Sequence, residues 1–410
     1  MLHKDEGTKK ERIILANKKK VLMTTSTFPR WEKDTEPRFI LDLAKAMNQL
    51  YDVTVLAPAT AGAKDSEILE GVNVIRYHYL PVKRWETLCC PGSIIPRIKE
   101  KKARALEVPF LFFSLFLQLF IKRKQYDIIH AHWIIPQGIV QSFVGGRYII
   151  TGHGSDVTTL NRGLFKLLKQ RCLDRAAHIT VVSERLKQII ITQYHTSEDK
   201  ISVVSMGSNL SLFSQKQRNN TVFHHKEEKI ILFVGRFEEV KGLPYLIDAM
   251  EYVNASLYIV GSGPDESSLR IQANRFPDRI TFLGSKSHEE LSKIYSSADV
   301  CVVPSICDRN GKEEGFGLVI LEAMASGVPI VASRSGGIVD IVRDGVNGLL
   351  AEPKNSKDLA EKINQILINP ALAEQLKEEA YRTVGDYSYE KIAERFSRVY
   401  EIAENNNPGS

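Results

Sequence analysis

A chain of 410 residues with 43% hydrophobic and 25% charged side chains is long enough for two full cores, which excludes a small staple-dependent scaffold and a disordered chain. Its formal net charge of +6 is too mild, over that length, for a nucleic-acid footprint. The five cysteines, Cys89, Cys90, Cys172, Cys301 and Cys307, follow neither a disulfide framework nor zinc-site spacing, so a reducing cytoplasm is expected.

The first twenty residues are lysine-rich with one short apolar patch, Ile13 to Ala16, which argues against a secretory leader. Lys20 to Thr25 reads as the first strand, and Ser26 to Glu36 as the loop after it. Pro37 fits the N1 position of a helix, with Phe39, Ile40, Leu43, Ala44 and Met47 at helical spacing behind it. A strand from Asp52 to Ala57 completes a β-α-β opening. It lacks G-x-G-x-x-G, so NAD binding loses ground.

The apolar run Val108 to Ile121 lies between the basic stretches Arg97 to Arg104 and Lys122 to Lys124. It falls short of the ~20 residues that cross a bilayer. Two readings remain: a buried helix packed on the N-terminal sheet, or an interfacial segment whose aromatic side, with Phe112 and Phe116, enters lipid while the cations meet anionic headgroups.

Tyr126 to Trp133 reads as a strand with His130 and His132 aimed to one side. Tyr148 to Thr151 is the next strand, and Gly152 to Val157 (GHGSDV) the loop after it, holding His153. Both endings fall where open α/β sheets bind ligands, although His132 reads equally as a satisfied core histidine. A zinc site ranks lower, since no cysteine is near and no H-E-x-x-H occurs. A strand at His178 to Val182, a helix from Ser183 and a strand at Ile201 to Val204 close the first domain, and the polar stretch Ser205 to Lys229 reads as a linker.

The second half opens with strand Ile230 to Val234 and then GRFEEVKG, where Arg236 and Lys241 can both turn toward one pyrophosphate. Strand Ser256 to Val260 leads into a turn beginning at Gly261, and strand Ile280 to Leu283 precedes a helix with a capping box of Ser287 and Glu290. Strand Ala298 to Val303 enters a glycine- and charge-rich loop. A helix starts at about Gly317, carries Leu318, and ends at Gly327 before strand Val328 to Ala332. The amides of Gly315, Phe316 and Gly317, with the helix's partial positive charge, suit a phosphate. Glu314 and Glu322 frame that site, and ionised carboxylates accept well from sugar hydroxyls. A nucleotide sugar fits both features. Amphipathic helices at Ser356 to Ile368, Pro370 to Thr383 and Ser388 to Ala403 close the chain.

Glu314 and Glu322, within EGFGLVILEAMASGVPIVAS, resemble the E-x7-E signature of group-1 (family 4) retaining glycosyltransferases of the GT-B fold. GRFEEVKG resembles that family's G-R-x4-K-G segment, and YDIIHAHW and GHGSDV its D-x-x-H-x-H and H-G-x-D segments. The paired glycines common in the family's first loop are absent, and Val339 and Asp340 stand in place of its usual Pro-Glu. The resemblance implies an α/β chain of two Rossmann-like domains facing a cleft. Residues 20–213 would form the acceptor domain, joined by a returning C-terminal helix at 386–404, and residues 228–385 the donor domain.

It further implies that Glu314 holds donor-sugar hydroxyls and Glu322 the ribose. His153 would contact the sugar near its reacting carbon, and Arg236 and Lys241 would hold the diphosphate. The backbone at Gly315 to Leu318 and at Gly261 would complete donor binding. No D-x-D pair occurs, so neither a metal nor any cofactor beyond the donor substrate is expected. The function so implied is transfer of a hexose-type sugar from a UDP- or GDP-linked donor to an acceptor hydroxyl, in glycolipid or polysaccharide synthesis. The acceptor would be a sugar, a lipid-linked molecule or a small molecule, with no nucleic-acid partner. The protein would be cytoplasmic, or peripheral on the cytoplasmic membrane face under the interfacial reading of 108–121. A sugar-nucleotide epimerase and a non-catalytic sugar-nucleotide-binding protein are the rivals. A phosphorylase would want a lysine-bound pyridoxal site, and none is distinctive here.

Overall fold

The computed structural model describes residues 18–405 apart from 33, 35, 91, 93, 209–211, 218–222, 224–228 and 310. The patch Ile13 to Ala16 and much of the polar stretch 205–229 therefore lie outside the described residues. The chain forms two compact units. One comprises the chain up to Val181, Lys187–Val204 and the part from Ile392 onward; the other comprises Val182–Leu186 and Ser205–Lys391.

The first unit holds strands β1 (Lys20–Thr24), β2 (Asp52–Pro58), β3 (Ser66–Leu69), β4 (Val72–Tyr77), β5 (Ile128–His132), β6 (Tyr148–Gly152), β7 (His178–Val181) and β8 (Ile201–Val203). They form one sheet in the order β3-β4-β2-β1-β5-β6-β7-β8, parallel except for β3. Every residue of β5 and β6 is buried, as expected of strands covered on both faces. The hairpin joining β3 to β4 was not read from the sequence. Its two-residue turn, Glu70 and Gly71, has φ of 47° and 87°, the left-handed pair that matches the twist of antiparallel strands.

The first helix, α1 (Phe39–Met47), starts two residues after the expected Pro37. Arg38 takes the N-cap position, its guanidinium bonded to Glu70 and Asp42. The unit also contains α2 (Ile94–Glu100), α3 (Val108–Lys122), α4 (Ile139–Val144), α5 (Ser155–Thr158), α6 (Gly163–Arg175) and, from Lys187 onward, α7 (Glu184–Tyr194). In α3 the buried residues are Leu111, Leu115 and Leu119, one narrow stripe at i, i+4, i+8. Phe112 and Phe116, expected to face outward, are half-buried instead, because that stripe sets which side of the helix meets the domain.

The second unit contains β9 (Ile230–Val234), β10 (Ser256–Val260), β11 (Ile280–Gly284), β12 (Val300–Val303), β13 (Ile330–Ser333) and β14 (Leu349–Ala351). All pair in parallel, in the order β11-β10-β9-β12-β13-β14. This is the doubly wound arrangement, whose direction reverses between β9 and β12. Its helices are α8 (Leu243–Ala249), α9 (Glu266–Ala273), α10 (His288–Ser296), α11 (Leu318–Ala325), α12 (Ser356–Ile368) and α13 (Pro370–Val384). The capping box of Ser287 and Glu290 is present at α10.

Strand β12 begins two residues later than expected. The Ala298 amide closes a helical turn onto Tyr295, and the Asp299 carboxylate caps the Ile230 amide at 2.8 Å. Strand β13 also starts late: the Val328 amide still bonds the Ala323 carbonyl of α11, and Pro329 has no N–H to give a ladder. The last helix, α14 (Tyr389–Asn405), places its residues from Ile392 in the first unit. There the Tyr400 hydroxyl meets His130 Nδ1 at 2.8 Å, and Ser397 meets the Tyr51 hydroxyl at 2.8 Å.

Candidate active site

In the second unit the strand order reverses between β9 and β12, so the loops leaving these two strands lie side by side. A Cβ at Gly242 would fall 1.8 Å from the Pro304 carbonyl oxygen, so only glycine lets the β9 loop lie against the exit of β12. That contact brings Lys241, 73 residues away in sequence, onto Glu314, and their side chains form a direct ion pair. From the other side Gly336 and Gly337 press on the same loop. The Gly337 amide donates to the Glu314 carbonyl at 2.9 Å, and a Cβ at Gly337 would lie 2.2 Å from the Gly315 carbonyl oxygen.

Burial pushes the Glu314 carboxyl up, but Lys241, Lys312 and the Gly315 amide outweigh it and hold the group below the usual carboxylate range. Glu314 is therefore an acceptor at neutral pH. Arg236 is half exposed, with its Nε 2.9 Å from Glu238; Glu238 in turn takes Lys312 at 2.9 Å. Each cation expected at a diphosphate thus has a carboxylate partner. Gly317 (φ 94°) precedes α11, and among the described residues no side chain caps that helix; in its first turn the Ile320 amide donates to the Gly317 carbonyl at 2.9 Å. A Cβ at Gly261 would come within 1.9 Å of the Gly235 carbonyl, so this glycine lets the β10 turn approach the end of β9.

Glu322, on α11, is held differently. Its carboxylate accepts from the Tyr295 hydroxyl at 3.0 Å, and burial, only partly offset by that bond, pushes its carboxyl up to about 7. It is poised to lose a proton when further donors arrive.

The remaining candidates lie in the first unit. His130 is a core histidine: its ring nitrogens meet Tyr400 at 2.8 Å and Thr151 at 2.6 Å, and burial lowers its pKa to about 3. His132 is fully buried, with Nδ1 3.2 Å from His153 Nε2 and its own Nε2 without a partner among the described residues. An orphaned buried N–H costs more than an orphaned lone pair. The network thus assigns the proton to His132 Nδ1, which donates to His153 and leaves His153 Nδ1 as a donor. His153 packs against Phe39 and Trp133, and burial holds it neutral, with a pKa of about 3.

The loop that carries His153 hangs on Asp156. Its carboxylate accepts from the amides of His153 and Gly154 at 3.0 Å each and of Ile134 at 2.8 Å. Asp156→Ala is expected to destabilise the first unit by roughly 3 kcal/mol, because three amides lose their carboxyl acceptor. Urea unfolding checks it, and a change under about 0.5 kcal/mol would contradict the loop-anchoring role. Behind the loop, the buried Lys169 ammonium donates to the Thr159 carbonyl and to Asn161 Oδ1; burial, against the pull of Asp156, lowers its pKa to about 8.

Sequence reasoning did not assign roles to Asp156, Lys169, Lys312, Tyr295, Gly242 or the Gly336-Gly337 pair. Asp156 and the glycines sit inside or beside motifs already singled out, so close backbone approach was a legible signal there. Lys169 and Tyr295 lie on ordinary helices and had none.

Residues 214–383 match the family described as Glycosyl transferases group 1, and residues 37–212 match Glycosyltransferase Family 4. An uncharacterised glycosyltransferase of Methanocaldococcus jannaschii is 31% identical over 331 residues, covering 72% of this chain and 82% of that protein. The N-acetyl-alpha-D-glucosaminyl L-malate synthase of Bacillus anthracis is 27% identical over 296 residues, covering 68% and 75%. Sucrose-phosphate synthase from Thermosynechococcus elongatus aligns with a TM-score of 0.73 at 23% identity, over 95% of this chain and 100% of its own. An Anabaena protein solved with UDP and glucose aligns with a TM-score of 0.70 at 18% identity, over 93% and 99%. The fold is GT-B. With these matches across both units, the chain belongs to the group-1 (family 4) glycosyltransferases.

Proposed function

We propose that the protein is a retaining, metal-independent hexosyltransferase that uses a UDP- or GDP-linked sugar and acts in glycolipid or polysaccharide synthesis. The observation that carries this reading is the Lys241–Glu314 pair, set immediately before the uncapped start of α11. A diphosphate arriving there offers Lys241 and Arg236 a stronger partner than their present carboxylates. The freed Glu314 carboxylate then takes sugar hydroxyls, and Glu322 takes the ribose. The Anabaena neighbour solved with UDP and glucose supports a nucleotide-sugar donor.

In the reaction the bond between the anomeric carbon and the phosphate oxygen breaks, and the acceptor hydroxyl oxygen bonds to that carbon on the same face. The hydroxyl proton passes to the departing phosphate. Arg236, Lys241 and the α11 amides stabilise the charge growing on the diphosphate, the role a bridging metal would otherwise fill.

Thermal shift against a panel of nucleotide sugars tests the donor site: a ligand at 100 times its Kd is expected to add about 2.7 kcal/mol. No shift with any nucleotide sugar would overturn the reading, and conversion of the sugar without an acceptor would indicate an epimerase. Transfer is also expected to survive EDTA. A strict requirement for magnesium or manganese would contradict the role given to Arg236 and Lys241.

A further inference from the structure

Helices α3, α4 and α6 precede β5, β6 and β7, three successive steps in one direction across the sheet. Right-handed crossovers therefore lay them on the same side, with α4 in contact with both neighbours. Their outer surface is apolar. From Ala105 to Ile121 every exposed side chain is apolar, including Phe110, Phe113 at 62% exposure, Leu117 and Phe120. On α4, Phe143 is 52% exposed, and on α6 Leu164 and Leu167 are each 68% exposed. An apolar surface of this extent is a contact surface for something.

Its border is cationic. The Arg123 guanidinium lies 3.8 Å from the Phe120 ring centroid and that of Arg171 4.7 Å from the Phe143 centroid. Among the described residues, Lys122, Lys124 and Lys166 form no ion pair. The acids at the near end are already engaged: Glu100 by Arg97 and Arg104, Glu107 by Thr87. A second copy of the chain, docking the same face on itself, would bring these cations together at a cost. An anionic bilayer surface complements both the apolar centre and the basic border.

Although Lys102–Lys122 is long and apolar enough by composition to cross a membrane, Leu111, Leu115 and Leu119 are fully buried and the Ser114 hydroxyl bonds the His78 carbonyl. The helix is therefore held along the unit. We propose that this three-helix face seats the protein on an anionic lipid surface. Phe113, Leu117, Phe143, Leu164 and Leu167 enter the headgroup region, and Lys122, Lys124 and Lys166 meet lipid phosphates.

Sedimentation with vesicles tests it independently of the sugar site. The protein is expected to co-sediment with phosphatidylglycerol-rich vesicles much more than with pure phosphatidylcholine, and high salt should release it, because headgroup attraction is screened within about 8–10 Å. The triple variant Phe113→Ser, Leu117→Ser, Leu164→Ser should lower partitioning roughly ten-fold or more with little change in Tm, as all three sites are exposed. Should it unfold, Lys124→Glu with Lys166→Glu carries the same test through charge alone. Absence of binding to anionic vesicles at low salt, folded variants that bind like the wild type, or a dimer that these substitutions dissolve without any lipid binding would each overturn the proposal.

Discussion

Lys241→Ala and Glu314→Ala are each expected to lower kcat/KM for transfer by roughly 100-fold or more, the usual effect of losing one preorganised charge contact to a transition state. The two losses differ in character. In the proposed reaction Lys241 acts on charge that grows as the diphosphate departs, so its removal should fall on kcat. Under the same proposal Glu314 holds sugar hydroxyls before and during reaction, so its removal should raise KM as well. Because the side chains pair directly, the double variant should be little worse than the poorer single one, a non-additivity expected of residues in contact. Lys241→Ala also leaves Glu314 without the partner that opposes its burial, so its carboxyl should rise toward protonation. Steady-state kinetics with circular dichroism on the three variants is the measurement. Near-normal turnover in both folded single variants would remove the donor site from this loop.

The second large effect is on pH. Glu322 titrates at about 7 in the fold against 4.5 for a free side chain. A raised pKa means that the protonated form is favoured in the native state. This contribution to stability is therefore complete below pH 4.5 and is lost as pH rises through about 7. At 1.36 kcal/mol per unit its size is at most about 3 kcal/mol. Relative to wild type, Glu322→Gln should gain stability between pH 5 and 8, since the amide keeps the neutral form at every pH. Other buried groups titrate in both proteins, so the difference between the two Tm–pH curves isolates Glu322. If ribose hydroxyls donate to this carboxylate, donor binding expels its proton. Affinity should then climb toward ten-fold per pH unit below pH 7 in the wild type and stay flat in the variant. Calorimetry in buffers of different ionisation enthalpy reads that proton directly. Parallel Tm–pH curves, or equal proton release by both proteins, would contradict the assignment.

Much of the candidate site was legible because its chemistry is local. Arg236, Lys241, Glu314 and Glu322 follow strand ends or sit on the first helix after one, and alternation of strands with helices is enough to place such positions at the carboxyl edge of a parallel sheet. The capping box at Ser287 is likewise a four-residue affair. The β3–β4 turn was equally local, but Glu70 in a left-handed conformation is not the usual residue there.

Local pattern determined the doubly wound class, the strand-end position of the charged residues and the apolar character of the 108–121 helix, since each depends on neighbours within a few residues. Tertiary structure decided that Lys241 pairs with Glu314 rather than standing free, that Tyr295 reaches Glu322, and that His130 is core while His153 borders a loop. It also decided that Phe113 and Leu117, in place of Phe112 and Phe116, face outward. Those outcomes depend on contacts closed over tens of residues and on which side of a helix its neighbours cover, and burial of that kind has no signature within a single turn.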